Sequence, residues 1–162
     1  MSRPAFAGRA WGRAGAVLVA VVALDQVTKA LVRSDIGEGE SNSVFPAVSF
    51  VHVRNKGVAF GFFSGGGWIV PALTAVALAA LVAYFVLHPR RSGLWLATGL
   101  LLGGAVGNVI DRLREGAVTD FIKLPHWDAF NVADMAITFG VLTLLWVLEG
   151  PRRGHGADAP AS

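Results

Sequence analysis

Long stretches without a charged side chain restrict this chain to folds that place helices in a lipid bilayer. Trp68 to Leu87 is a run of 20 uncharged residues, enough for a helix to cross a hydrocarbon core about 30 Å thick. Leu94 to Ile110 is a run of 17, at the short end of the spanning range. Charged residues make up only 15% of the 162 residues, against about 25% in soluble domains. Much of the chain therefore has no need to face water.

Two further apolar runs reach spanning length only if polar residues lie inside the membrane. Ala14 to Leu24 stops at Asp25, and Met135 to Leu148 begins directly after Asp134. We predict a mainly α membrane fold, a four-transmembrane-helix bundle in a single domain over 1–150. Its spans are expected at about 14–32, 68–87, 94–113 and 131–149.

The segment between the first two spans has a different character. Ser49 to Val53 alternates β-branched or aromatic residues with polar ones, which is typical of a strand. Gly57, Gly61 and the glycines at 65–67 interrupt any helix. We expect 34–67 to form a small extracytoplasmic β-cradle or sheet on the membrane surface. The polar tail, 151–162, is expected to be disordered and cytoplasmic.

The first span resembles the start of a signal peptide, because Arg3, Arg9 and Arg13 precede an apolar stretch. The stretch runs into Leu24 and Asp25 without a small-x-small cleavage site, so we predict an uncleaved signal anchor. Four spans place both termini on one side. Lys and Arg counts are tied between the two sides, and charge alone gives only a slight preference for cytoplasmic termini.

Several chemistries are excluded by what the sequence lacks. It has no cysteine, and therefore no disulfide, thiolate metal site or cysteine nucleophile. It has no Gly-x-Ser-x-Gly elbow and no His-Glu-x-x-His zinc helix, and its histidines, at 52, 88, 126 and 155, are scattered. No basic run is interleaved with aromatic residues. We predict no metal, no cofactor and no nucleic-acid partner.

Polar side chains gather at one end of the predicted bundle. A charged group at membrane depth costs at least about 2.5–3.5 kcal/mol on insertion scales, so such groups usually mark function or an ion pair. An up-down-up-down topology brings the ends of spans one and three and the start of span four to the same face. The residues there are Asp25 and Lys29, then Asn108, Asp111 and Arg112, then Asn131 and Asp134.

Asp25 and Lys29 are four residues apart, with two interpretations left open. They could form a helical ion pair at the interface. Alternatively, Lys29 could reach a lipid phosphate or a carboxylate of the site.

Span three carries two stripes with a spacing of four. Gly99, Gly103 and Gly107 form a small-xxx-small stripe, which predicts close helix packing. Gly104, Asn108 and Arg112 form a neighbouring stripe that becomes polar toward the helix end. Arg112 can bind a carboxylate or phosphate through two N–H groups.

Asp120 and Asp134 each have an ordinary and a catalytic interpretation. Asp120 lies in a strand-like stretch and could be a simple loop carboxylate. Asn131 and Asp134 have the N-cap and N3 spacing of a helix cap. If the two carboxylates face each other, they share a proton, and one can activate water while the other polarises a carbonyl. The residues alone leave this choice open.

Five motifs in order resemble lipoprotein signal peptidase (signal peptidase II), over roughly residues 11 to 150. They are Asp25-Gln-Val-Thr-Lys29, Asn55-Lys-Gly57-Val-Ala59-Phe60-Gly61, Gly103-Gly104-Ala-Val-Gly107-Asn108-Val-Ile-Asp111-Arg112, Gly116-Ala-Val-Thr-Asp120-Phe121-Ile122 and Phe130-Asn131-Val-Ala133-Asp134-Met-Ala-Ile137. Together they are far more specific than any one alone.

The resemblance implies an intramembrane aspartic endopeptidase of the bacterial inner membrane. It implies that diacylglyceryl prolipoproteins are cut just before the lipidated cysteine, at an active site toward the outer face, with Asp120 and Asp134 catalytic. We expect a water nucleophile, a monomer and membrane lipids as neighbours. The implied substrate-binding or supporting residues are Asp25, Lys29, Asn55, Gly57, Gly104, Asn108, Asp111, Arg112, Asn131 and Ala133.

Three rival functions fit the sequence less well. A proton-carrying transporter needs carboxylates deep in the bilayer, whereas these lie near one face. An inactive lipid-binding homologue would be favoured if Asp120 or Asp134 were replaced, and both are present. A purely structural bundle has no need for so many polar side chains at the ends of three spans.

Overall fold

The computed structural model describes residues 3–56 and 69–150, which form four helices and one antiparallel sheet. The helices are α1 (Arg3–Asp35), α2 (Ile69–Leu87), α3 (Leu94–Glu115) and α4 (Val132–Glu149). The strands are β1 (Ser41–Phe45), β2 (Val48–Asn55) and β3 (Val118–Lys123), in the order β1-β2-β3. The predicted class, a mainly α membrane bundle with a small sheet, is confirmed.

Three of the helices are apolar and long enough to cross a membrane within the described residues. They are the α1 segment Ala7–Asp35, α3 and α4, and α2 contributes a shorter apolar segment, Ala72–Leu87. Helix α1 is longer than the predicted span 14–32 at both ends. The part of the predicted cradle from Gly57 to 67 and the tail 151–162 lie outside the described residues.

The sheet is assembled from two separate parts of the chain. We predicted it between the first two spans, where β1 and β2 lie, but its third strand comes from the α3–α4 connection. Strand β3 pairs antiparallel with β2, and Val53 is opposite Asp120. This pairing places Asp120, which lies in the connection between α3 and α4, at the rim of the helix bundle.

Helix α3 packs against both α1 and α4 through its glycines. A Cβ atom at Gly99 would lie 2.7 Å from the Ala14 carbonyl oxygen, and one at Gly103 would lie 2.8 Å from Val21 Cβ. On the neighbouring face, a Cβ at Gly104 would collide with the Ala133 carbonyl oxygen. The predicted packing role of the glycine stripe is confirmed, because no larger residue fits at these distances.

The outer faces of the bundle are apolar. Leu73 and Val76 on α2 are 65% and 67% exposed, and Leu142 on α4 is 56% exposed. These side chains suit a hydrocarbon environment, because lipid acyl chains shield them from water without contact with the protein interior. The fully buried side chains include Lys29, Asp25 and Asp111, so the interior at one end of the bundle is polar.

Candidate active site

Helix α4 begins with a reciprocal cap that fixes Asp134. The side-chain oxygen of Asn131 accepts a hydrogen bond from the Asp134 backbone N–H at 2.9 Å, and Asp134 Oδ2 accepts from the Asn131 N–H at 3.3 Å. Asp134 thus occupies the first turn of a helix, where the aligned peptide dipoles stabilise an anion. The cap interpretation is confirmed, and it leaves the second carboxylate oxygen of Asp134 for another partner.

Asp120 is held by amides from two other elements. Its Oδ2 accepts a hydrogen bond from Asn55 Nδ2 at 2.9 Å, at the end of β2. Its Oδ1 accepts one from Asn131 Nδ2 at 2.6 Å, at the start of α4. The side chain is only 2% exposed, so these hydrogen bonds orient both oxygens within a buried site.

Two asparagine amides connect the two aspartates. Asn131 Nδ2, which donates to Asp120, also lies 3.3 Å from Asn108 Oδ1. Asn108 Nδ2 in turn donates to Asp134 Oδ1 at 2.8 Å. Strand β3 and helix α4 thereby bring Asp120 and Asp134 to the same pair of amides, which we call the amide bridge.

The surroundings of Asp120 favour its protonated form. Burial raises the pKa of Asp120 from 3.8 to about 6, and the negative charge of Asp134 adds to this increase. Hydrogen bonds from Asn55 and Asn131, and the positive charge of Lys29, oppose it. Asp120 therefore keeps its proton to a higher pH than an ordinary aspartate, up to about 6.

Behind the amide bridge lies a buried ion cluster centred on Lys29. Its Nζ is 2.8 Å from Asp25 Oδ2, 3.0 Å from Asp111 Oδ2 and 3.1 Å from Asn108 Oδ1. The side chains of Lys29, Asp25 and Asp111 are at most 1% exposed. The predicted pair between Asp25 and Lys29 is present, and Lys29 also reaches a carboxylate of the site, that of Asp111. The ammonium is enclosed, so it does not face a lipid phosphate.

The two carboxylates of the ion cluster reach backbone groups next to the aspartates of the site. Asp25 Oδ1 accepts from the Ala133 N–H at 2.9 Å, which ties α1 to the first turn of α4. Asp111 Oδ2 accepts from the Thr119 N–H at 3.0 Å, directly before Asp120. The cluster thus positions the backbone on both sides of the amide bridge.

Sequence reasoning missed Gln26. Its Nε2 donates to Asp111 Oδ1 at 2.9 Å and to the Gly107 carbonyl oxygen at 3.2 Å, and so joins α1 to α3. Its position between Asp25 and Lys29, inside a membrane span, could have identified it as a residue of the site, because an amide in that environment needs a hydrogen-bond partner. Gly107 also contributes by its small size, since a Cβ there would lie 2.6 Å from Asp25 Oδ2.

Arg112 lies at the edge of the site. Its side chain is exposed, and Nη1 donates to the Asn108 carbonyl oxygen at 3.2 Å. This contact lies within its own helix, and the binding of a carboxylate or phosphate by Arg112 stays a prediction. Gly57 lies outside the described residues.

The described residues hold no group of three or more His, Asp or Glu side chains placed to bind a metal ion. His52 is buried and its Nδ1 lies 2.9 Å from the Ile36 carbonyl oxygen, a contact internal to the fold. The chemistry that this arrangement supports is acid–base chemistry by a carboxylate pair. The aspartates lie at the first turn of a helix and on a strand outside the bundle, a poor position for carrying protons across a membrane.

Comparisons with known proteins agree with this geometry. The family described as signal peptidase (SPase) II matches residues 17–149. A lipoprotein signal peptidase of Moorella thermoacetica is 44% identical over 142 residues, which cover 85% of this chain and 93% of the relative. Another, from Paraburkholderia phymatum, is 42% identical over 149 residues, which cover 87% of this chain and 89% of the relative.

Solved structures give the same result. A bacterial membrane enzyme determined by the in meso method at 1.9 Å resolution superposes with a TM-score of 0.74 at 33% identity, covering 85% of this chain and 93% of that chain. A second, at 2.3 Å resolution, gives a TM-score of 0.72 at 35% identity, covering 85% and 87%. The match over 17–149 and the identity to relatives over most of their length show that this chain belongs to the lipoprotein signal peptidase (signal peptidase II) family, a family of aspartic endopeptidases.

Proposed function

We propose that this protein removes signal peptides from diacylglyceryl prolipoproteins by cutting the peptide bond just before the lipidated cysteine. Asp120 and Asp134 form the catalytic pair and a water molecule is the nucleophile. The observation that carries the proposal is the amide bridge, which places two carboxylates from separate elements on the same pair of asparagine amides.

The two aspartates take different roles because their surroundings differ. Asp134 accepts hydrogen bonds from Asn108 and from the Asn131 backbone at a helix N-terminus, which suits an ionised base. Asp120 is almost completely buried, and its raised pKa suits an acid. In this proposal the pair holds one proton, which lies on Asp120 at the start of the reaction.

The chemical steps follow from these roles. Asp134 removes a proton from water as the oxygen attacks the scissile carbonyl carbon, while the proton on Asp120 moves to the carbonyl oxygen. A neutral tetrahedral intermediate results, and no covalent enzyme intermediate forms. Transfer of the proton from Asp134 to the amide nitrogen breaks the C–N bond, and Asp120 recovers its proton from the hydroxyl as the new carboxyl group forms.

The remaining polar groups position the substrate. Arg112 is exposed at the rim, one helical turn beyond Asn108, where its guanidinium can hold the backbone of an extended peptide.

Apolar side chains of the sheet are exposed near the site. Phe45 is 66% exposed, Phe50 is 39% exposed and Val53 is 41% exposed. These apolar side chains suit the boundary between headgroups and acyl chains, where the diacylglycerol of the substrate lies.

We further propose that both termini are cytoplasmic and that the catalytic pair faces the outer side of the membrane. The sheet and the pair lie at the end of the bundle formed by the C-terminal parts of α1 and α3 and the start of α4. The arginines in the first turns of α1, before its apolar stretch, support this orientation. One chain contains all the groups used in the mechanism, which supports a monomer.

The proposal is tested by replacing each aspartate separately with asparagine. Asp120→Asn and Asp134→Asn keep the size of the side chain but cannot exchange a proton, so cleavage of a purified diacylglyceryl prolipoprotein should fall to background. Asp128→Asn, an exposed position in the same connection, is the matched control and should cleave at the normal rate. Normal turnover in either dyad variant, at equal expression, would remove the mechanism.

A further inference from the structure

A basic cleft lies at the end of the bundle opposite the catalytic pair. It has a volume of about 190 Å³ and lies between the start of α1 and the α2–α3 turn. We call it the arginine cleft. The polar and aromatic residues that line it are Arg9, Arg13, Arg90, Arg91, Ser92 and Trp95. Four arginines therefore line one small space, and no carboxylate is among the lining residues within 3–56 and 69–150.

Two of these arginines are fixed by the fold. Arg91 donates from Nε and Nη2 to the Val147 carbonyl oxygen at 3.1 and 2.7 Å, and from Nη1 to the Tyr84 hydroxyl at 2.5 Å. The guanidinium carbon of Arg13 lies 5.7 Å from the centre of the Trp95 ring, a cation–π distance. The cleft is thus a built feature with a set geometry on at least two sides, whereas Arg90 is exposed at its mouth.

Tryptophans place the arginine cleft at the depth of lipid headgroups. Trp11, between Arg9 and Arg13 in sequence, is 40% exposed, and Trp146 at the same end of the bundle is 71% exposed. Exposed tryptophans concentrate at the boundary between acyl chains and water. A cleft at this level meets phospholipid phosphates before it meets any dissolved anion.

We propose that the arginine cleft binds the headgroup of an anionic phospholipid of the phosphatidylglycerol class. Arginine binds phosphate oxygens through paired N–H groups, and several arginines around one phosphodiester relieve their mutual repulsion. A zwitterionic headgroup brings an ammonium group as well. Since the described lining residues include no carboxylate to receive that ammonium, the site should prefer lipids with net negative charge. Basic pockets between membrane helices bind anionic headgroups in the same way.

The test compares lipid retention by the whole protein in nanodiscs. The wild type, placed in phosphatidylcholine with an equal share of phosphatidylglycerol, should retain phosphatidylglycerol when extracted and measured by native mass spectrometry. The triple variant Arg9→Gln, Arg13→Gln, Arg90→Gln should bind it more weakly, by about fivefold for each arginine. Arg91 is left in place because it ties the α2–α3 turn to α4.

Two further arms separate charge from folding and lipid from free anion. Arg114→Gln removes one exposed arginine at the other end of the bundle and should leave retention unchanged. If the triple variant does not fold, the corresponding triple lysine variant keeps the charge and should retain the lipid more weakly than the wild type. Equal retention of phosphatidylcholine and phosphatidylglycerol by the wild type would overturn the proposal. Displacement of the lipid by inorganic phosphate would show a site for free anions and would overturn it as well.

Discussion

Replacing Asp120 with asparagine should stabilise the protein at neutral pH while it abolishes cleavage. The pKa of Asp120 is raised from 3.8 to about 6 by burial, so the folded protein binds this proton more tightly than the unfolded chain. The stability contributed by the protonated form is fully present below pH 3.8 and is lost as the pH rises through about 6. Asparagine has no charge to bury, so the variant avoids this loss.

The magnitude follows from the size of the shift. A change of about two pH units corresponds to about 3 kcal/mol at neutral pH, since each unit is worth about 1.4 kcal/mol. The new amide presents an NH₂ group to one of the two donors, Asn55 or Asn131, which costs about 1 kcal/mol for the lost hydrogen bond. Net stabilisation of about 2 kcal/mol is expected at neutral pH, and slight destabilisation below pH 3.8.

Thermal unfolding in detergent, measured for both proteins across this pH range, checks the reasoning. The difference in melting temperature between Asp120→Asn and the wild type should rise with pH, because other titrations are common to both. Asp128→Asn, at an exposed position in the same connection, is measured alongside as the matched control. The reasoning would be refuted by a difference for Asp120→Asn that is constant or that falls toward neutral pH.

Three further results are expected from the structure. Lys29→Met leaves two buried carboxylates without their cation and should destabilise the fold by about 3–5 kcal/mol, seen as a lower melting temperature. Gly104→Ala forces a methyl group against α4 and should cost about 1–3 kcal/mol, whereas Gly12→Ala, with open space around it, should be neutral or stabilising. Asn55→Ala removes a hydrogen bond that lowers the pKa of Asp120, so the alkaline limb of the pH–rate profile should move to higher pH. An unchanged limb, or equal costs for the two glycine variants, would contradict these arguments.

The helices were predictable because the bilayer fixes the length of an apolar span. Topology then sufficed to bring Asp25 and Lys29 near Asn108 and Asp111, since spans of alternating direction end at the same face. The pairing of β3 with β2 was not predictable, because the partner of a strand depends on tertiary contacts that no local pattern records.

The finer structure of the site was also beyond the sequence. Asn131 was expected as a helix cap or a supporting residue, but its amide serves both purposes at once, with the oxygen on the Asp134 N–H and the nitrogen on Asp120. Such double use depends on side-chain orientation. Thr119 contributes to the site through its backbone N–H, which donates to Asp111. Almost every residue type has a backbone N–H, so the sequence does not identify such a contribution.

The spacing of Asp25 and Lys29 has a consequence for biogenesis. Asp25 finds its second partner 108 residues later, in the final helix, which leaves the ribosome long after α1 has met the membrane. During that interval the ammonium 2.8 Å away, one turn along the same helix, already compensates its charge. The Asp25–Lys29 pair can therefore enter the bilayer without net charge. Only the arrival of α4 brings Asp134 to the amide bridge, so a chain interrupted before α4 lacks one half of the proposed catalytic pair.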